Sequence, residues 1–132
     1  MRNSIESIAP RMSVAPMAIS TAENGTSIDR LGFESCIVGV GVGATSGSPT
    51  SFTVDAKVQD SADGSTGWAD ITGAVMTQII SENAVGKIAL DLRGAKRYIR
   101  VVVTPGFTGG TSPDVLVSAT CSLAEPVDKP TA

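Results

Sequence analysis

Apolar and polar residues alternate along most of this chain with a period of two, the spacing of a strand that has one buried face and one wet face. Phe52, Val54, Ala56 and Val58 alternate with Thr53, Asp55, Lys57 and Gln59. Ile88, Leu90 and Leu92 alternate with Ala89, Asp91 and Arg93, and Val115, Val117, Ala119, Cys121 and Leu123 alternate with Leu116, Ser118, Thr120 and Ser122. The helical period is nearly absent. Seven or eight strands are predicted, near residues 14–20, 33–42, 51–60, 68–72, 75–81, 86–92, 96–104 and 114–123. Short strands separated by Gly, Pro, Ser and Asp clusters indicate an all-β fold, a single antiparallel β-sandwich of jelly-roll-like form. The sandwich is expected to span residues 14–123, with an N-terminal arm over 1–13 and a Pro-containing tail over 124–132.

A chain of 132 residues is one domain, long enough to bury a core. Ten basic against thirteen acidic residues give a net charge of -3 with no Lys/Arg block, so nucleic acid is not an expected partner. No run has the roughly 18 consecutive apolar residues of a membrane helix. Glu6, Pro10, Arg11 and Pro16 interrupt the N-terminal region where an export signal would be continuous and apolar. Cys36 and Cys121 match no metal or redox spacing, and two buried thiols in a reducing compartment are expected. Each shares the phase of apolar neighbours, so the alternative is a disulfide closing a long loop.

Candidate chemistry is sparse. Gly39, Gly41 and Gly43 alternate with valines and do not open a helix, unlike a phosphate-binding loop. They read as a strand whose glycine face admits a close neighbour, with Trp68 or Phe52 the expected ring. Asp60, Asp63 and Asp70 sit among Ser and Gly without calcium-loop spacing, and Asp60 to Gly64 reads as turn chemistry. The chain has no histidine, which removes Ser-His and Cys-His nucleophile systems and histidine metal ligands. No enzymatic activity, metal or cofactor is expected. Phe107, in the Gly-rich stretch 104–114, either tucks under its own loop or anchors a partner pocket. Ile5, Ile8 and Met12, apolar residues among polar ones in the arm, are further interface candidates. Trp68, Tyr98, Arg97 and Arg100 are expected to support the fold, one arginine lying against the core edge with Asp70 or Asp91 as its partner.

The stretch VQDSADGSTGWADI at 58–71, followed by LDLRGAKRYIRV at 90–101, resembles the small β-sandwich structural proteins of tailed bacteriophages and prophages, among them head decoration (cement) proteins. The likeness covers the middle third of the chain, with Gly67 as an extra residue before the Trp. The resemblance implies a virion component made in the bacterial host cytoplasm and carried on the capsid surface. It implies the major capsid protein as partner, and a homo-oligomer, taken as a trimer, bridging capsid subunits. A tail, neck or head-fibre position is the nearest alternative, and a carbohydrate-binding surface module, which would need exposed aromatic rings in a row, is a second.

Overall fold

A computed structural model describes residues 8–126 of the chain. Nine strands form two antiparallel sheets: β1 (Ala9–Ile19), β2 (Glu23–Asn24), β3 (Ile28–Asp29), β4 (Phe33–Ser46), β5 (Ser51–Ser61), β6 (Ala69–Val75), β7 (Ala84–Asp91), β8 (Tyr98–Thr108) and β9 (Asp114–Pro126). One sheet has the order β1-β9-β4-β7; the other runs β2-β8-β5-β6, with β3 also paired to β8. Taking β2 and β3 as one interrupted strand, this is the eight-stranded, two-sheet order of a jelly roll. Among the described residues no helix is formed.

The period-two pattern becomes the core directly. Val38, Val40 and Val42 of β4, Val54, Ala56 and Val58 of β5, Ile99, Val101 and Val103 of β8, and Val115, Val117, Ala119 and Leu123 of β9 all point inward and are buried. Most are β-branched, and their restricted χ1 suits a pleated, half-buried surface. The expected strand over 75–81 is only partly realised. Past Val75 the backbone stays beside β5 through Met76 N–H to Ala56 C=O (3.0 Å) and a single bridge between Val54 and Ile79, then crosses to the other sheet. At Gly86 of β7 the side chain of Met76 fills the space that a β-carbon would need.

Two boundaries differ from the pattern, and one of them is the end of β9, which runs to Pro126 inside the expected tail. β1 begins at Ala9, inside the expected arm, and pairs with β9 from Ala9↔Leu123 to Ile19↔Val115. Pro10, Met12 and Pro16 hide this strand from a period-two reading, and register breaks at Met12/Val14 and Val14/Met17 interrupt its alternation. Ser13, at the first break, turns inward and is 2 % exposed. Its hydroxyl donates to Thr26 C=O (3.1 Å) and accepts from Val101 N–H (3.0 Å), tying β1 to β8 of the opposite sheet. Gly25 packs against it, its N–H donating to Val101 C=O at 2.7 Å.

The cysteines correct the expectation of two free thiols: Cys36 and Cys121 form a disulfide, with Cα atoms 6.3 Å apart. Register is the physical reason. Cys36 faces Leu123 and Val38 faces Cys121, so the two cysteines are diagonal neighbours on the inner faces of adjacent strands. The glycine expectation is also corrected. Gly39, Gly41 and Gly43 face outward, and the side chains nearest to them are Thr120, Ser118 and Leu116 of β9, not an aromatic ring.

Reduction of the disulfide, or the double change Cys36→Ala with Cys121→Ala, should lower stability by about 2–4 kcal/mol while retaining the fold, since the bridge mainly constrains the unfolded chain. Thermal melts with and without reductant, followed by circular dichroism, measure this. Gly25→Ala should cost at least about 2 kcal/mol, because the new methyl overlaps Ser13 Oγ and lies 2.7 Å from Val101 O. Gly94→Ala, with nothing within 4 Å, is the control that leaves the melting temperature unchanged.

Candidate functional site

The outer faces of the two sheets are chemically unlike. On the β2-β8-β5-β6 sheet, outward residues join in a polar chain. Arg100 of β8 donates to Gln59 Oε1 through Nε (3.0 Å) and Nη2 (2.8 Å), and Gln59 Nε2 donates to Asp70 Oδ1 at 2.8 Å. Asp70 also pairs with Lys57 at 3.1 Å. The Arg100 guanidinium lies 4.4 Å from the centre of the half-buried Trp68 ring, a cation–π contact. Arg97 pairs with Asp29 at 2.8 Å and lies 5.2 Å from the Tyr98 ring centre. The expectation that an arginine pairs with Asp70 or Asp91 is thus corrected. Arg97 takes Asp29, Arg100 reaches Asp70 only through Gln59, and Asp91 pairs with Arg93 at 2.7 Å. Arg30, which the pattern did not single out, donates to the backbone carbonyls of Ala95 and Lys96 and so holds the turn between β7 and β8.

The turn before Trp68 is built by Asp63. Its Oδ1 accepts the backbone N–H groups of Ser65 and Thr66, both at 2.9 Å, and its Oδ2 accepts the Thr66 hydroxyl. These donors, the Thr66 N–H foremost, hold the carboxyl well below the usual aspartate range. The Asp60 side chain instead accepts Lys96 N–H at 3.1 Å. Among the described residues no three His, Cys, Asp or Glu side chains are grouped to hold a metal ion.

The β1-β9-β4-β7 sheet presents a barer outer face. The registers set Pro10, Ser122, Ile37 and Ala89 in one row across the strands, Met12, Thr120, Gly39 and Lys87 in the next, and Ser118, Gly41 and Val85 in a third. Lys87 is the one charged residue in these rows. Ile37, Met12 and Leu116 are each about half exposed, and Val85 is 80 % exposed. Pro16, Met17, Gly43 and Leu116 line a shallow depression at one end. The ion pair Arg93–Asp91 closes the opposite rim, and Glu82, accepting from Thr45, and Asp114, accepting from Ser46, stand at the near rim. Lys87 apart, the centre of this face is uncharged and made largely of small residues, inside a polar rim.

Of the expected interface residues, Ile5 lies outside the described residues, while Ile8 (47 % exposed) and Met12 (52 %) sit at the β1 edge of this face. Phe107 belongs to β8 rather than to a loop, opposite Phe52 and packed on the core from its margin. The pattern passed over Ile37, Leu116 and Val85. Their signal was present all the same: valines inward on β4 require glycines outward, leaving that face without side chains.

No protein family's model matches the chain, and no curated protein matches it. Among solved structures it is similar to the SPBc2 prophage-derived protein YomS, with a TM-score of 0.40 and 17 % identity over 86 % of this chain and 95 % of that one. It is also similar to the CBM22-1–GH10 modules of Clostridium thermocellum xylanase 10B, solved with xylohexaose, at a TM-score of 0.46 and 9 % identity over 96 % of this chain and 27 % of that one.

Acid should loosen the carboxylate contacts on both faces of the sandwich. Asp63, Asp29, Asp70 and Glu82 are lowered, and Asp91 is lowered to about 2, chiefly by hydrogen bonds to their ionised forms. Groups lowered in the folded state contribute stability that is present above their unfolded pKa, about 4, and is lost as pH falls through the folded values. The melting temperature should be flat from about pH 7 to 5 and fall between about pH 4 and 2. Asp63→Ala should shift the emission of Trp68, the single tryptophan, at neutral pH and flatten part of that fall.

Proposed function

We propose that this chain is a non-enzymatic structural protein of a phage virion that decorates and cements the head, its partner the major capsid protein. The resemblance of the 58–71 and 90–101 stretches to small phage structural proteins motivates the reading. The jelly roll, an architecture that recurs in viral capsid domains, is compatible with it, although a fold alone assigns no function. The observation that carries it is the outer face of the β1-β9-β4-β7 sheet, flat, almost uncharged at its centre and rimmed by polar pairs. Laid against capsid subunits, such a face excludes water through apolar and glycine contacts. Repetition over many equivalent positions makes a modest contact collectively strong. The opposite face, laced by Arg100, Gln59, Asp70 and Lys57, is suited to solvent.

A second reading, carbohydrate binding, is favoured by one observation: folding brings Trp68 onto Arg100, two residues from Tyr98 on the same strand face. Against it, one face of the Trp68 ring is covered by the guanidinium, and Phe107 lies at the core margin, so no row of free rings is formed.

Purified chain mixed with capsids that lack it should pellet with them in hundreds of copies and raise their resistance to heat or osmotic rupture. Ile37→Asp, in the centre of the bare face, should abolish pelleting and leave the monomer's melting curve intact. Copies confined to one vertex would move the protein to the neck or tail. Binding to a glycan array without capsid binding would favour the second reading.

A further inference from the structure

The sandwich has four strand edges, and three of them are blunted. β1 carries Pro10, Pro16 and two register breaks. β6 has a register break and a left-handed Gly73 (φ 80°). β2 and β3 are two residues each. These are the devices by which sheet proteins prevent their edges from pairing with other chains. β7 has no proline, register break or truncation, and carries only the charges of Lys87 and Asp91 as a guard. It runs unbroken against β4 from Ala84↔Val42 to Asp91↔Ser35, without proline or bulge, and among the described residues it pairs with no other strand. Beside it a groove opens between the two sheets, walled by Met76–Ser81 on one side and Ala84–Lys87 on the other. The two most exposed large hydrophobics of the described chain, Val85 (80 %) and Ile80 (70 %), stand at this groove.

We infer that β7 is the pairing edge for a second copy of this chain, joining two sandwiches side by side through antiparallel β7–β7 hydrogen bonds about a two-fold axis. Self-pairing of one edge is isologous, so whatever fits one copy fits the other. Side chains directly opposite in an antiparallel pair lie on the same face, so only registers that match inward with inward positions are allowed. Centred on Lys87, the pair would oppose two like charges. Centred on Gly86, it would use less than the full strand and set Ala89 against the turn at Asn83. Centred on Ile88, it pairs Val85 through Asp91 with their counterparts in reverse order. Lys87 then lies opposite Ala89 of the second copy, with that copy's Asp91 as the next residue on the same face. Lys87 has no acidic partner among the described residues, and this register supplies one from across the axis. An edge lysine is also a known guard against pairing, but here it eliminates one register and favours another. In the same arrangement Val85 lies opposite Asp91 of the second copy, and the bare outer face becomes continuous across both.

Sedimentation equilibrium of the full chain over about 1 to 200 µM should show a reversible monomer–dimer equilibrium. Val85→Glu, which sets an acid opposite Asp91 at each end of the pair, should weaken it at least about 10-fold while circular dichroism and the melting curve of the monomer stay unchanged. Lys87→Glu, which sets a second acid near Asp91, should weaken it at least about 10-fold. Amide exchange should slow with rising concentration only at those residues from Val85 to Asp91 whose N–H points away from β4. A wild-type chain that stays monomeric or forms a trimer overturns the inference. So does a dimer indifferent to Val85→Glu, protection elsewhere than β7, or a tighter dimer in Lys87→Ala, which would make the lysine a guard. Since the test needs no capsid, its failure leaves the virion reading standing, and failure of capsid binding leaves the dimer standing.

Discussion

The inner faces of the two sheets hold this protein together, and nearly every other feature follows from how closely they approach. Valine dominates both faces, a side chain stiff at χ1 and short enough to let the sheets meet at the usual spacing of about 10 Å with few voids. Leu92, Ile99 and Leu123 are the largest of the fully buried side chains, and Met76 fills the space left by Gly86. Among the described residues two polar side chains are buried, Ser61 at the end of β5 and, between the sheets, Ser13. The Ser13 hydroxyl replaces a strand partner for Val101, so the closing strand β1 can bulge without leaving a buried N–H unsatisfied.

With the inner faces committed to each other, the outer faces are free to differ, and they do. One is a lattice of charge and hydrogen bonds in which Gln59 relays between Arg100 and Asp70, and Trp68 lies under the guanidinium. Its ion pairs are exposed and add little to stability individually. The other face is made of glycine, serine, threonine and a few aliphatic side chains, and nothing in the isolated sandwich needs it to be so bare. That asymmetry is a better guide to role than any single residue.

Strands whose alternation is clean were legible in the sequence. β4, β5, β7 and β9 lie where the pattern put them, and so does the all-β sandwich. What escaped depends on partners distant in sequence. β2 and β3 are too short to carry a period and exist because Gly25 and Asp29 find β8 and Arg97. β1 was obscured by its prolines. The disulfide needed the β4–β9 register, which places Cys36 diagonal to Cys121 across a sequence separation of 85. The bare face was half legible: the Gly-Val alternation of β4 was plain, but only the structure showed that the glycines point outward beside Ser118 and Thr120. The partner of Arg100 depended on a turn geometry set by Asp63 and could not be read from spacing.

The order β1-β9-β4-β7 has a consequence for how the chain acquires its shape in time. β9 is the last strand in sequence, yet it lies between β1 and β4 and completes the middle of its sheet. A ribosome delivers the chain from its N-terminus, so β1 and one edge of β4 lack their partner until β9 follows, while β7 can already pair with the other edge of β4. Closure therefore waits for β9, governed by contacts distant in sequence and correspondingly slow. During that interval the valines of β4 are open to neighbours on the same polysome, and the glycines between them, poor strand formers on their own, slow premature pairing until the proper partner arrives.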